Sequence, residues 1–350
     1  MGTGRFRCPR GAGAAGARSR RALDVFAPSV LALLDLDRPL ARLFSASVLG
    51  GIARLPETGP QRLGPFRLYG VLGRGGTGTV YLGRGAPRRG VRKRTAAVRA
   101  VRPELLRDRQ MRARLRQETS RIAETVESPF VADALACELD SDHPWIAQAF
   151  APGLPLAALV ASYGPLPEMS VRALGGALAR ALTALHTAGT AHRDLRAENV
   201  LLTAERPQVV EHGIALGQPS ALPGRAGADL GETVGHGLPA RRADDVFSLG
   251  AVLVLAATAQ QPFAAGALPA TRGEIPDLTG VPDALRAPLL ACLHKTPEAR
   301  PDPESLARTL DPSGSADRPA REWLPEPYVH EIRHRTDEAR SLTGRRLWGR

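Results

Sequence analysis

The residue types best suited to chemistry occur together in the segment AHRDLRAENVLL, residues 191–202. Asp194 and Asn199 are five positions apart, a spacing at which one loop can offer a carboxylate base to a hydroxyl group and an amide oxygen to a metal ion. His192 and Arg193 directly precede the aspartate, which makes the pattern more specific than an isolated Asp and Asn pair. The segment therefore predicts a loop that supplies a catalytic base and a metal ligand.

A second motif, rich in glycine, lies upstream in LGRGGTGTVY, residues 72–81. It contains the pattern G-x-G-x-x-G-x-V at Gly73, Gly75, Gly78 and Val80. Glycines let the backbone approach phosphates closely and aim its amides at them. Alone this signal is weak, because the chain has 36 glycines. Residues with strand character on both sides argue against a dinucleotide-binding site, which needs a helix directly after the glycines.

The elements that must position these motifs change type along the chain. Short runs with β-strand character occupy residues 66–72, 79–82, 96–101, 130–137 and 145–150, and a helical pattern occupies residues 104–126. Beyond Pro152 the spacing becomes helical, first over residues 168–188 and then over the apolar run at residues 246–258. Strands followed by helices predict an α+β fold with two lobes.

Taken together, these motifs resemble the bacterial serine/threonine protein kinases of the eukaryotic type, over residues 63–310. Glu118 lies 19 residues after Arg99, as the helix glutamate follows the strand lysine in such kinases. Asp245 matches a buried aspartate of a central helix, and Arg300 matches an arginine near the end of the domain. The resemblance implies a small antiparallel β-sheet lobe with one helix, residues 63–151, and a larger, mostly helical lobe, residues 152–310.

The chain also extends beyond this predicted domain on both sides. Residues 1–62 have the composition of a largely disordered extension with room for short helices. Residues 311–350 predict a tail with one helix at residues 327–342, which could dock on the helical lobe or protrude from it.

The resemblance also implies the cofactors and the residues that hold them. ATP with Mg²⁺, or Mn²⁺ in its place, is the expected cofactor of this family. The implied catalytic residues are Asp194 as the base, Arg99 on the phosphates, Glu118 pairing with Arg99, and Arg196 two positions after the base. The implied nucleotide-binding residues are Gly73, Gly75, Gly78, Val80, Ala97 and Arg99. The implied metal ligands are Asn199 and Glu211.

The chain departs from the family pattern in three regions. The strand lysine is replaced by Arg99, which is not a conservative change at a site tuned to one ammonium group. The chain has only two lysines, Lys93 and Lys295, and neither lies where it could take over this role. The usual Asp-Phe-Gly triplet reads Glu-His-Gly at residues 211–213. One extra methylene displaces the carboxylate by about 1 Å, and such a misplacement can cost about 100-fold in rate.

The third departure is the activation segment, residues 214–243. Leu-Pro-Ala at residues 238–240 stands where the family has Ala-Pro-Glu. Arg300 therefore loses its usual glutamate partner, unless Asp244 replaces it.

These departures leave three functional hypotheses. The first is a degenerate kinase that binds nucleotide but transfers phosphate slowly or not at all. The second is an active serine/threonine kinase that tolerates Arg99 and Glu211. The third is an interaction protein whose basic portion binds an acidic partner or nucleic acid, since the net charge is +12. Aromatic residues make up only 4% of the chain, which argues against a base-stacking surface for nucleic acid.

Cysteine content and hydropathy bear on location. Three irregularly spaced cysteines predict neither a disulfide framework nor a zinc ribbon, which favours a cytoplasmic location. No apolar run approaches the ~20 residues that a membrane-spanning helix needs. Neither the protein substrate, the regulated partner nor the oligomeric state follows from these patterns.

Overall fold

The computed structural model describes residues 49, 51–211, 238–263 and 275–344. All of them belong to one compact unit. Residues 1–48 and 50 of the predicted N-terminal extension lie outside the described residues, as do residues 212 and 213 of the Glu-His-Gly triplet and residues 214–237 of the predicted activation segment.

The small lobe is an antiparallel sheet of six strands. They are β1 Arg62–Leu63, β2 Phe66–Gly75, β3 Gly78–Gly85, β4 Arg94–Val101, β5 Ala134–Glu138 and β6 Trp145–Ala149. Their order in the sheet is β1-β2-β3-β4-β6-β5. Alternate apolar residues point to one face, where Phe66 packs edge to face on Trp145 with ring centroids 5.6 Å apart.

One helix covers the other face of this sheet. The predicted segment 104–126 is divided into a 3₁₀ turn, Pro103–Leu106, and helix α1, Arg109–Thr125. Asp108 causes the division, because its extended backbone starts the new helix and its carboxylate accepts the Gln110 amide at 2.8 Å. Leu115 of α1 packs against Ile146 of β6. This packing brings Glu118, which lies on the same helix, towards the site.

The large lobe is mostly helical. Its elements are α2 Leu156–Tyr163, α3 Glu168–Thr187, α4 Leu238–Thr258, α5 Asp283–Cys292 and α6 Pro303–Leu310, with a second sheet of β7 Gly153–Pro155, β8 Val200–Thr203 and β9 Pro207–Val209. The helix α3 is buried almost all round. Gly175 and Gly176 let α6 and the residue after it approach closely, because a Cβ at either position would collide with Leu310 or Asp311.

The C-terminal tail is part of this lobe. Two 3₁₀ turns, Ser315–Asp317 and Ala320–Glu322, lead into helix α7, Glu326–Thr343, where the sequence predicts one helix. Tyr328 is 1% exposed, belongs to the main core, and donates its hydroxyl to the Gly164 carbonyl at 2.6 Å. The tail therefore docks on the helical lobe.

The far end of α7 reaches the small lobe. The Glu338 carboxylate accepts the Ile52 amide at 3.1 Å, and Ala339 packs with Ile52 and Leu82. Between the lobes, the Thr336 hydroxyl donates to the Pro152 carbonyl at 3.1 Å. The folded unit thus includes residues on both sides of the predicted boundaries at 63 and 310. Among the described helices, none combines the length and the apolar character needed to cross a bilayer.

Candidate active site

A buried aspartate of α4 holds the catalytic loop in place. Asp245 is 1% exposed, and its carboxylate accepts the backbone amides of His192 and Arg193 at 2.8 Å each. The same carboxylate contacts His186 Nε2 at 2.8 Å. Arg193 has a φ of +72°, a conformation that a non-glycine residue adopts only when its surroundings impose it. The prediction that Asp245 is a buried aspartate of a helix is confirmed.

The structure brings Asp194 and Asn199 together at the end of this loop. The Asn199 side-chain amide donates to the Asp194 carbonyl at 2.8 Å and to Asp194 Oδ2 at 3.0 Å. The backbone carbonyl of Asn199 accepts the Val210 amide at 2.9 Å. Because the Asn199 nitrogen makes both side-chain bonds, its amide oxygen is the atom left for a metal ion.

Burial raises the pKa of Asp194 above its ordinary range, and this effect outweighs the neighbouring charges that oppose it. Arg196 is the largest of the opposing influences, although its own guanidinium hydrogen-bonds to Glu198 at 2.8 Å. That bond lowers the pKa of Glu198 and raises the pKa of Arg196. Arg196 therefore acts on Asp194 through its charge while Glu198 holds it.

The glycine motif forms the hairpin between β2 and β3. Gly78 has a φ of +146°, and a Cβ there would collide with the Ala100 carbonyl, so the fold itself requires glycine. Gly73 and Gly75 are exposed, and a Cβ at either would meet nothing within 4 Å. These two glycines therefore leave open space for a ligand. Val80 pairs with Arg99 across the strands, and Leu82 pairs with Ala97.

Arg99 lies beneath this hairpin and is 8% exposed. Its guanidinium forms an ion pair with the Glu211 carboxylate and donates to the Thr77 hydroxyl in the glycine loop. Burial lowers the pKa of Arg99 to about 10, against an opposing influence from Asp194. Arg99 therefore remains charged at neutral pH and links the glycine loop to the candidate metal ligand.

Glu118 pairs with Arg193 instead of Arg99. Both of its carboxylate oxygens accept from the Arg193 guanidinium, one of them at 2.7 Å. The prediction that Arg99 pairs with Glu118 is therefore wrong. There are two physical reasons. Arg193 offers Glu118 a bidentate guanidinium. Arg99 and Glu211 have longer side chains than the family's lysine and aspartate, so their charged ends reach each other.

A family model described as "Protein kinase domain" matches residues 66–309. The chain belongs to the protein kinase family. It is 36% identical over 301 residues to serine/threonine-protein kinase AfsK of Streptomyces coelicolor, covering 81% of this chain and 37% of that protein. It is 34% identical over 288 residues to probable serine/threonine-protein kinase PkwA of Thermomonospora curvata, covering 78% of this chain and 37% of that protein.

A more distant relative is serine/threonine-protein kinase PknE of Mycobacterium tuberculosis, which is 29% identical over 258 residues. That alignment covers 68% of this chain and 44% of the relative. This chain thus spans less than half the length of the curated relatives it matches. The relatives that it matches are serine/threonine-protein kinases, and this chain has the two-lobed kinase fold.

In this kinase domain, Asp244 takes the place of the missing partner of Arg300. The Arg300 guanidinium donates to the Ala243 carbonyl at 2.9 Å and to Asp244 Oδ1 at 3.3 Å. It also lies 5.0 Å from the Phe247 ring centroid. The residues that replace Ala-Pro-Glu lie in the first turn of α4, which begins eight residues before the predicted start at Val246.

The metal ligands that the family implies are chemically suitable. Asn199 and Glu211 both offer oxygen atoms, which Mg²⁺ prefers. The Asn199 oxygen is available, whereas Glu211 must exchange its ion pair with Arg99 for the metal. The residues fit a metal ion, with one rearrangement at Glu211.

Two further residues of the site were missed from the sequence. Thr77 contacts Arg99, and Gln148 of β6 contacts the backbone of Glu211. The sequence carried one signal for Gln148, because it is a polar residue within the predicted strand 145–150; in the structure it is 8% exposed. Thr77 lies within the glycine motif, but no periodic pattern there indicates the direction of its side chain.

Proposed function

We propose that this domain binds ATP with Mg²⁺ or Mn²⁺ and transfers the γ-phosphoryl group slowly to serine or threonine hydroxyls of a protein. One observation supports the proposal most. The catalytic loop of the large lobe is assembled around Asp245, whereas the phosphate-binding arginine and one metal ligand are occupied with each other.

The residues present suggest how the transfer would proceed. Asp194 would accept the proton of the substrate hydroxyl while that oxygen bonds to the γ-phosphorus. The bond from the γ-phosphorus to the bridging oxygen of ADP would break, and ADP would leave with that oxygen. Arg99 would bind the α- and β-phosphates. Asn199 and Glu211 would hold the metal, which neutralises phosphate charge when bound.

The slow rate follows from the ion pair between Arg99 and Glu211. Each group must leave its partner before it can serve the nucleotide or the metal. Loss of one charge-stabilising group from an active site typically costs about 100- to 1,000-fold in rate.

Phosphate transfer from radiolabelled ATP to a generic protein acceptor tests the proposal. The double variant Arg99→Lys with Glu211→Asp should raise incorporation about 10- to 100-fold, because it removes the fork and the extra methylene together. Asp194→Asn is the matched inactive control. Incorporation by the unaltered protein no higher than by this control, in Mg²⁺ and in Mn²⁺, would exclude transfer.

A second candidate is a nucleotide-binding scaffold without transfer activity. The observation that favours it is the contact of Arg99 with both Thr77 and Glu211, which closes the glycine loop onto the candidate metal ligand. A rise in melting temperature with ATP and metal, without phosphate transfer, would support this candidate over the first.

Nucleic acid is not part of the proposal. Arg94 pairs with Asp133 at 2.7 Å, and Arg116 pairs with Asp140, so part of the basic stretch is matched within the protein. We also propose a cytoplasmic location, because ATP is the expected cosubstrate and both described cysteines are free thiols. The protein substrate or partner is identified only by the hydroxyl group that it must present.

A further inference from the structure

Strand pairing places Gln148 on the same sheet face as the nucleotide-site residues. In the register of β4 and β6, Gln148 lies opposite Ala97, and Ile146 lies opposite Arg99. Residues that face each other across paired strands project to the same side, and so do residues two apart on one strand. Gln148, Ala97 and Arg99 therefore share one face.

From this face the sheet holds Glu211 at two points. The Glu211 amide donates to Gln148 Oε1 at 3.2 Å, and the Glu211 carboxylate pairs with Arg99. An amide N–H can only donate, so the oxygen of the Gln148 side chain is the atom that must face it. On the preceding residue, the Val210 amide donates to the Asn199 carbonyl at 2.9 Å.

The backbone of Glu211 needs such support. Its φ is +64°, a left-handed conformation that costs a non-glycine residue free energy unless neighbouring contacts impose it. Without an acceptor for its amide, Glu211 could return to an ordinary φ, and its carboxylate would then swing away from the Asn199 side of the site.

We propose that Gln148 is a positioning residue for Glu211. By accepting the Glu211 amide, Gln148 keeps the backbone left-handed and keeps the carboxylate within the site, where it pairs with Arg99 and from where it would bind the metal of bound ATP. This inference rests on the proposed function, because it assumes that Glu211 serves as a metal ligand. Gln148 itself need not touch the metal or the nucleotide.

The variant Gln148→Met tests the inference, because it keeps the length of the side chain and removes the acceptor. Gln208→Met is the matched control: Gln208 also bonds to a backbone atom, the Pro129 carbonyl at 3.3 Å, and lies three residues before Glu211. Calorimetric titration with ATP, with and without Mg²⁺, measures both affinities. We expect Gln148→Met to weaken binding of ATP with Mg²⁺ about 5- to 20-fold and binding of metal-free ATP less than 2-fold.

Amide hydrogen exchange at Glu211 is an independent measurement that needs no ligand. We expect exchange at least about 10-fold faster in Gln148→Met than in the unaltered protein, and no change in Gln208→Met. Equal weakening of ATP binding with and without metal, or unchanged exchange, overturns the inference. If Gln148→Met does not fold, an unprotected Glu211 amide in the unaltered protein overturns it instead.

The two proposals fail in different ways. If the unaltered protein binds no ATP under either condition, the proposed function fails, and the exchange data alone decide whether Gln148 holds Glu211. If ATP binds but its metal dependence is the same in Gln148→Met, only the positioning role fails.

Discussion

The two halves of the candidate site are built differently. In the large lobe, Asp245 holds the catalytic loop and Asn199 bonds to Asp194, so these contacts stay within one lobe. In the small lobe, Arg99 replaces the family's lysine; it donates to Thr77 of its own lobe and pairs with Glu211 of the opposite lobe. The ion pairs of Arg99 and Glu118 cross between the lobes, and they differ from the pairing that the family pattern predicted.

Charge alone does not determine which of these groups pair. Arg99, Glu118, Arg193 and Glu211 provide two positive and two negative groups, and either pairing would neutralise all four. Sequence spacing cannot choose between the two pairings, because charge neutrality is the same in both. The observed choice gives Glu118 a bidentate partner and leaves Arg99 to Glu211. A substitution of one of these four residues can therefore change the partners of all four.

We expect the largest loss of stability when Asp245, which anchors the catalytic loop in the large lobe, is replaced. Asp245→Ala leaves the amides of His192 and Arg193 without their acceptor, at about 1–3 kcal/mol for each buried group. We expect the free energy of unfolding in urea to fall by about 3–5 kcal/mol. Asp283→Ala is the control, because its carboxylate is 93% exposed and should change stability by less than about 0.5 kcal/mol. Equal losses in both variants would contradict the anchoring role.

The next effect separates two glycines of the small-lobe half. Gly78→Ala forces a Cβ against the Ala100 carbonyl at a φ of +146°, and should cost about 2–4 kcal/mol in urea unfolding. Gly75→Ala meets open space and should cost less than about 1 kcal/mol. If Gly75→Ala weakens ATP binding while stability holds, the open space belongs to the nucleotide. Similar unfolding free energies for both variants would show that the hairpin relaxes at Gly78.

The smallest effect is a change in acidity within the large-lobe half. Arg196→Met removes the strongest influence that opposes the raised pKa of Asp194, so that pKa should rise further. Titration of the Asp194 carboxyl carbon by NMR measures it directly. A base must be ionised to act, so the pH below which phosphate transfer declines should move upwards in the variant. The exposed Arg321→Met provides the control, and a fall in the Asp194 pKa in Arg196→Met would contradict the charge argument.

Much of the fold was predictable because it depends on local patterns. The strands around residues 66–82 and the helix over residues 168–188 follow from alternation and helical spacing, and the structure has them at Phe66–Gly75, Gly78–Gly85 and Glu168–Thr187. The break at Asp108 was missed, since a helical pattern on both sides concealed one capping residue. The docking of α7 was left open, because an amphipathic helix does not indicate which surface it covers.

By itself, the sequence determined the order of the elements, the catalytic-loop motif and the glycine hairpin, because these depend on residues close together in the chain. Only the tertiary structure determined which charges pair, that Gln148 accepts the Glu211 amide, and that Asp244 pairs with Arg300. The partners in these contacts are separated by 56 to 112 positions, so their distances are determined only when the large lobe has folded or the two lobes have packed together. Several partners were chemically acceptable for each group, and the packed backbone allowed one.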